Sequence, residues 1–260
     1  MYLPQLMARV EKGEKLAALT CYDASFARLL ADNAVDILLV GDSLGMTVQG
    51  HSTTLPVTLE QMIYHTEAVA RGAAGRAFIV GDLPFGAYQQ SPQQAFASAA
   101  RLLAAGANMV KLEGGAVMVE SVRFLVERGI PVCAHLGLLP QSVNTTGYRS
   151  QARESSAAAR LIEDAEDLEA AGAQMLVLES IPSVLAEEVT QHLAIPSIGI
   201  GAGPHCNGQV LVLNDLLGLT GKPPRFAKDF MEGAWNIANA VRTYVASVKS
   251  GEFPGLEHSF

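Results

Sequence analysis

Eight short apolar runs punctuate the chain: LAALTCYD, ILLVGDS, FIVGD, MVKLEG, PVCAHLG, MLVLES, PSIGIGAG and VLVLND. All but PSIGIGAG, which ends in glycine, finish on or close to a polar residue able to do chemistry. The runs are almost continuously apolar and rich in Val, Ile and Leu, which predicts parallel strands covered on both faces. Alanine-rich segments of helical character lie between most of them. Thr58-Leu59-Glu60-Gln61 is a capping-box pattern, and Ser91-Pro92-Gln93-Gln94 is another with proline at the first helical position. Gly106, Gly129 and Gly172 stand where a helix C-terminus would turn into the next strand.

Eight β-α units with short returns predict a single (β/α)8 barrel spanning residues 1–260, with one or two additional C-terminal helices between Arg225 and Val248. No GxGxxG follows the first run, which weakens an open dinucleotide-binding sheet. Barrel enzymes place their chemistry at the C-terminal ends of the strands, so the polar run-ends become the candidate site. The longest loops after those ends, Ser43 to Val57 and Gly137 to about Ser155, are candidate lids.

Composition supports this reading and removes several others. A chain of 260 residues suits one barrel, since such domains cluster near ~250 residues. With 49% hydrophobic and 17% charged residues it can bury a large core, and no low-complexity stretch suggests a linker. The N-terminus lacks a basic segment followed by a long apolar one, and no run approaches the ~20 residues that span a bilayer. The expectation is a cytoplasmic protein with no membrane partner. Cys21, Cys133 and Cys206 are scattered and lack CxxC spacing, which argues against disulfides or structural zinc. A net charge of −8 argues against nucleic-acid binding while leaving room for small anions held by local cations.

Asp42, Asp82 and Glu113 follow three successive runs, so a closed barrel brings three carboxylates to one side of its mouth. Clustered acids repel unless a proton or cation sits among them, and all-oxygen ligands favour Mg²⁺ or Mn²⁺. A lone strand-end aspartate is commonly a helix cap; three in succession are less readily explained that way. Lys111 and Glu113 are two apart on one strand and share a face. They form either a structural ion pair or, with Lys111 as the cation, a seat for a substrate carboxylate. Glu179 ends the sixth run, on the far side of the barrel, where it suits a general base or is simply a solvent-facing acid. His135 is a possible substrate-binding partner, although a histidine in an apolar run is often a satisfied core residue. Ser43 could donate to a substrate oxygen or cap the next turn. The run Gly199-Ile200-Gly201-Ala202-Gly203 would let backbone approach an anion, but glycine alone is weak support.

Longer blocks carry a resemblance. Thr20 to Asp23, Val40 to Gly50, Thr54 to Thr58, Gly106 to Gly114, His135 to Leu138, Pro140 to Val143, Leu176 to Glu179, Gly199 to Gly203 and the tail Pro254 to Phe260 resemble the ketopantoate hydroxymethyltransferase family essentially end to end. The resemblance implies transfer of a hydroxymethyl group from 5,10-methylenetetrahydrofolate to 3-methyl-2-oxobutanoate, giving 2-dehydropantoate for pantothenate and coenzyme A synthesis. It implies that Asp42 and Asp82 hold Mg²⁺, with Glu113 completing or backing the site through water. Asp42, Ser43, Asp82 and Lys111 would contact the oxo acid, and Glu179 would accept its proton. It further implies a homo-oligomer, commonly a decamer. Arg149 to Arg153 and Asn207-Gly208-Gln209 depart from the family's usual pattern.

Other readings remain at this point. One is a Schiff-base aldolase using Lys111. Another is a Mg²⁺-dependent carbon–carbon lyase or mutase of the phosphoenolpyruvate and isocitrate type, though no catalytic cysteine loop is recognisable. A third is a non-catalytic barrel that binds a small molecule.

Overall fold

The computed structural model describes residues 1–260 as a closed barrel of eight parallel strands in sequential order. These are β1 (Leu16–Thr20), β2 (Ile37–Val40), β3 (Phe78–Asp82), β4 (Met109–Glu113), β5 (Val132–Gly137), β6 (Met175–Glu179), β7 (Ser197–Ile200) and β8 (Gly208–Leu211). Alternation along each strand sorts its side chains. Outward residues such as Leu38, Val110, Leu112 and Leu178 join a large cluster with the surrounding helices. Inward residues such as Ile37, Phe78, Met109 and Val210 form a second, smaller cluster in the barrel interior.

The helix signals behave as their chemistry requires. Thr58 and Gln61 cap the helix Leu59–Ala73 reciprocally, and the Ser91 hydroxyl accepts from the Gln94 amide at 3.1 Å to start Pro92–Ala104. Gly106, Gly129 and Gly172 all adopt positive φ just beyond a helix.

Two features differ from expectation, and a third, the C-terminal helix, agrees with it. Residues 201–207 join β7 to β8 with no helix, so the seventh β-α repeat is incomplete. Lys15 clamps this crossover by donating to the carbonyls of Pro204 and Cys206, each at 2.7 Å. The stretch Arg225 to Val248 holds one long helix, Ile237–Ser250, within the one or two expected. It packs outside β1, with the Tyr244 hydroxyl reaching the carbonyls of Ala18 and Gln209. The chain also begins with a helix, Leu3–Val10, whose buried Leu6 joins the interior cluster and plugs the N-terminal end of the barrel. No helix is long and apolar enough to cross a membrane. All three cysteines are free and buried.

Candidate active site

The C-terminal ends of the strands open into a cavity of about 770 Å³. Asp42, Ser43, Asp82, Lys111, Glu113, His135 and Glu179 all line it, so every candidate side chain reaches one space. Asp82, Lys111, Glu113, His135 and Glu179 are inward positions of β3 to β6. Asp42 and Ser43 lie just beyond β2, where Gly41 takes the inward position. A Cβ at Gly41 would stand 2.8 Å from Ser43 Oγ and 3.6 Å from Asp82 Oδ2, so the missing side chain lets these groups converge.

The ionisable groups form a connected arc. The Asp42 amide donates to Asp82 Oδ2 at 3.1 Å, and Lys111 Nζ lies 3.2 Å from Asp82 Oδ1. Lys111 is also 3.4 Å from His135 Nδ1, which is 3.6 Å from Glu113 Oε1. His135 Nε2 lies 3.3 Å from Glu179 Oε2, close enough for an ion pair but not aligned as a hydrogen bond. Glu179 therefore does not stand apart from the other carboxylates, as its place across the barrel suggested; His135 bridges it to Glu113. Ser43 is held by the Tyr22 hydroxyl at 2.9 Å rather than capping a turn with its side chain.

Two residues that the strand pattern did not expose organise this arc. Gln141 donates through Nε2 to Asp42 Oδ2 and to the Leu83 carbonyl, both at 2.9 Å. Its backbone amide donates to Glu113 Oε2 at 3.0 Å. Tyr88 donates to Gln141 Oε1 at 2.7 Å and accepts from the Glu113 amide. Tyr88 comes from a loop and Gln141 from the 3-10 turn Pro140–Ser142, where no periodicity marks them; Gln141 lay within a block of family resemblance, which was its one signal.

Charge is unbalanced here. Burial, and then the charges of Asp82 and Glu113, push the Asp42 carboxyl up to about 7. Burial also raises Asp82, although Lys111 opposes it. Burial would raise Glu113, but His135, Lys111 and the Gln141 amide together hold it below the usual carboxylate range. Burial pulls Lys111 down, yet the three acids outweigh it and raise its pKa. His135 is likewise raised, its burial and the Lys111 charge being overcome by Glu113 and Glu179.

Four carboxylates thus face one lysine and one histidine. Asp82 Oδ1 is buried and has no aligned hydrogen bond, only the Lys111 charge beside it. This donor set fits a hard divalent cation held by one or two carboxylates and completed by water or ligand oxygens. It is not a closed protein cage, because no three His, Cys, Asp or Glu side chains gather as a full ligand set. Glu113 is turned instead toward Gln141 and His135.

The two candidate lids flank the mouth. Tyr148 and Arg149 line the cavity from the loop after β5, and the Tyr148 hydroxyl reaches Met46 Sδ at 3.8 Å on the loop after β2. The departure at Arg149 to Arg153 therefore lies at the mouth. Asn207 lies at the opposite end, where its side chain accepts from the Ser197 amide. The glycine run after β7 serves close packing of the chain on itself: a Cβ at Gly201 would stand 2.8 Å from the Phe226 ring.

Comparison with known proteins decides the family. A family model described as ketopantoate hydroxymethyltransferase matches residues 1–256. The chain belongs to this family. It is 62% identical over 259 residues to 3-methyl-2-oxobutanoate hydroxymethyltransferase of Thiobacillus denitrificans, covering 99% of this chain and 98% of that one. It is 60% identical over 262 residues to the protein of the same name from Methylobacillus flagellatus, covering 100% of each. As a member of the ketopantoate hydroxymethyltransferase family the chain is an enzyme, a transferase. Among solved structures it is similar in fold to phosphoenolpyruvate phosphomutase from Streptomyces platensis subsp. rosaceus, with a TM-score of 0.63 and 15% identity over 84% of this chain and 83% of that one. A 2,3-dimethylmalate lyase gives 0.58 and 19%, over 84% and 80%. At those identities the likeness concerns the barrel alone.

Proposed function

We propose that this enzyme transfers a hydroxymethyl group from 5,10-methylenetetrahydrofolate to 3-methyl-2-oxobutanoate, giving 2-dehydropantoate on the route to pantothenate and coenzyme A. The names of the two relatives support the acceptor and the reaction class. From the structure, the reading rests on one observation: an excess of buried carboxylates over cations at one side of a cavity larger than a small oxo acid needs.

Asp42 and Asp82 would hold Mg²⁺, with Glu113 backing them through water. When bound, Mg²⁺ supplies a Lewis acid that offsets negative charge on the oxo acid's oxygens. Lys111, fixed beside Asp82, meets the substrate carboxylate. Ser43, held by Tyr22, donates to a substrate oxygen. Glu179, whose side chain is 15% exposed to the cavity, takes the proton from C3. His135, whose Nε2 lies 3.3 Å from Glu179 Oε2, lines the same cavity and places a second cation beside this carboxylate when protonated. The electron pair left at C3 forms the new bond to the one-carbon unit. That carbon's bonds to the folate nitrogens break, the nitrogens keep those electron pairs and gain protons, and water supplies the hydroxyl oxygen. Holding both reactants in one cavity provides the orientation this step needs. A cytoplasmic homo-oligomer belongs to the same reading; exposed Val184, Trp235 and Leu256 offer apolar surface for such an assembly to cover.

Incubation with methylene-labelled folate, the oxo acid and Mg²⁺ tests the proposal. Labelled 2-dehydropantoate that disappears with EDTA and returns with Mg²⁺ is expected. Turnover persisting in EDTA, with a borohydride-trapped adduct on Lys111, would establish the Schiff-base reading instead.

A further inference from the structure

One side of the cavity has no use in the handling of the oxo acid. Beyond the ionisable arc its wall is formed by Ile200, Val210, Val212, Leu219 and Phe226, from β7, β8 and the chain that follows. A cavity of about 770 Å³ is of the size that encloses a drug-sized ligand, so this apolar side has room for a second molecule.

Set into the wall is Asp215, which is 7% exposed and lies on the short helix Leu213–Leu216. It stands in the first turn of that helix, where a carboxylate meets the helix dipole, but this leaves most of its acceptor capacity unused. Its side chain accepts one hydrogen bond, from the Thr220 hydroxyl. It caps no helix, since the N-cap of its own helix is Val212. It is in none of the ion pairs of the molecule, unlike Asp36 or Asp82, which meet Arg9 and Lys111. Burial without a cation pushes its carboxyl pKa up. A buried carboxylate with spare acceptor capacity, lining a cavity, is suited to a ligand that brings its own donors.

We propose that Asp215 receives the 2-amino-4-oxo edge of a reduced pterin, accepting hydrogen bonds from its ring N3–H and its exocyclic amine. This inference rests on the folate donor of the preceding section. The two donors lie side by side and match the two oxygens of a carboxylate, in the way a guanidinium fork does. The flat ring packs against the apolar wall that surrounds Asp215. Lys222 and Arg149, which also line the cavity, supply cations for the folate's glutamate carboxylates in a chain of net charge −8. The oxo acid on the β2–β6 side and the pterin on the β8 side then bring C3 and the one-carbon unit together between them.

The test measures tetrahydrofolate binding by calorimetry in the wild type and in Asp215→Asn, alongside deuterium exchange at C3 of the oxo acid with Mg²⁺ and no folate. The expected result is a loss of folate affinity on the order of 10- to 100-fold in the variant, with C3 exchange unchanged. A tetrahydrofolate analogue lacking the 2-amino group should bind the wild type more weakly by a similar factor, and Asp215→Ala should no longer tell the two ligands apart. Equal folate affinity in wild type and Asp215→Asn overturns the inference. So does equal binding of the two ligands by the wild type, a comparison that holds even if the variants fail to fold. A wild type that does not bind tetrahydrofolate at all defeats the donor reading itself.

Discussion

Along β3 the inward side chains run Phe78, Val80, Asp82; along β4, Met109, Lys111, Glu113; along β5, Cys133, His135; along β6, Met175, Val177, Glu179. Each strand passes from apolar to ionisable within one or two inward steps, each step rising roughly 7 Å. Below, Ile37, Phe78, Met109, Cys133 and Met175 fill the interior above Leu6, and burial is the favourable contribution. Above, the same barrel walls enclose Asp42, Asp82, Lys111, Glu113 and His135, where burial opposes charge and only mutual pairing offsets it. The lower layer is complete as it stands. The upper layer carries more negative charge than its cations balance, and that incompleteness marks it as the place where a ligand contributes.

The contrast predicts separable effects of substitution. Lys111→Met should lower kcat/KM with the oxo acid by about 10²- to 10³-fold, the range for truncating one partner of a buried charge pair. Steady-state kinetics would show it, and a variant with near wild-type turnover would remove Lys111 from substrate binding. Phe78→Ala should instead destabilise the fold by roughly 3–5 kcal/mol in denaturant unfolding, with activity per folded molecule retained. A loss of activity in the folded variant would mean that the two layers are not independent.

A smaller effect comes from pH. The Asp42 carboxyl is raised from 3.8 to about 7 in the folded chain, so the folded state holds a proton that the unfolded state releases. Without metal, the contribution of this group to stability should be complete below about 3.8 and fall as pH rises toward about 7. Thermal melts in EDTA across that window check it. Added Mg²⁺ should restore stability most at the upper end, and an Asp42→Asn variant whose metal-free stability followed the same pH profile as the wild type would contradict the assigned crowding.

Much of this architecture was legible because it follows periodicity. A run such as MVKLEG shows both its strand and, through the two-residue step, that Lys111 and Glu113 share a face. His135 was ambiguous on that basis alone, since an inward polar residue and a satisfied core histidine look the same until Glu113 and Glu179 are placed on either side. Gln141 and Tyr88 left no periodic trace because they reach the site from a single 3-10 turn and a loop. The missing helix between β7 and β8 did leave a trace: only Pro204 to Gln209 separate PSIGIGAG from VLVLND, too few residues for a helical return, and the regular alternation elsewhere masked it. Leu3, Leu6, Met7 and Val10 have helical spacing, yet the role of Leu6 as a plug depends on the barrel it closes.

The claim that the upper layer activates the oxo acid is tested most directly by proton exchange. With Mg²⁺ and no folate, NMR should show wild-type enzyme exchanging the C3 hydrogen of 3-methyl-2-oxobutanoate with solvent deuterium, and Glu179→Gln should slow this by roughly 10²- to 10⁴-fold. Exchange at the wild-type rate in Glu179→Gln would contradict the account and move the base elsewhere in the cavity.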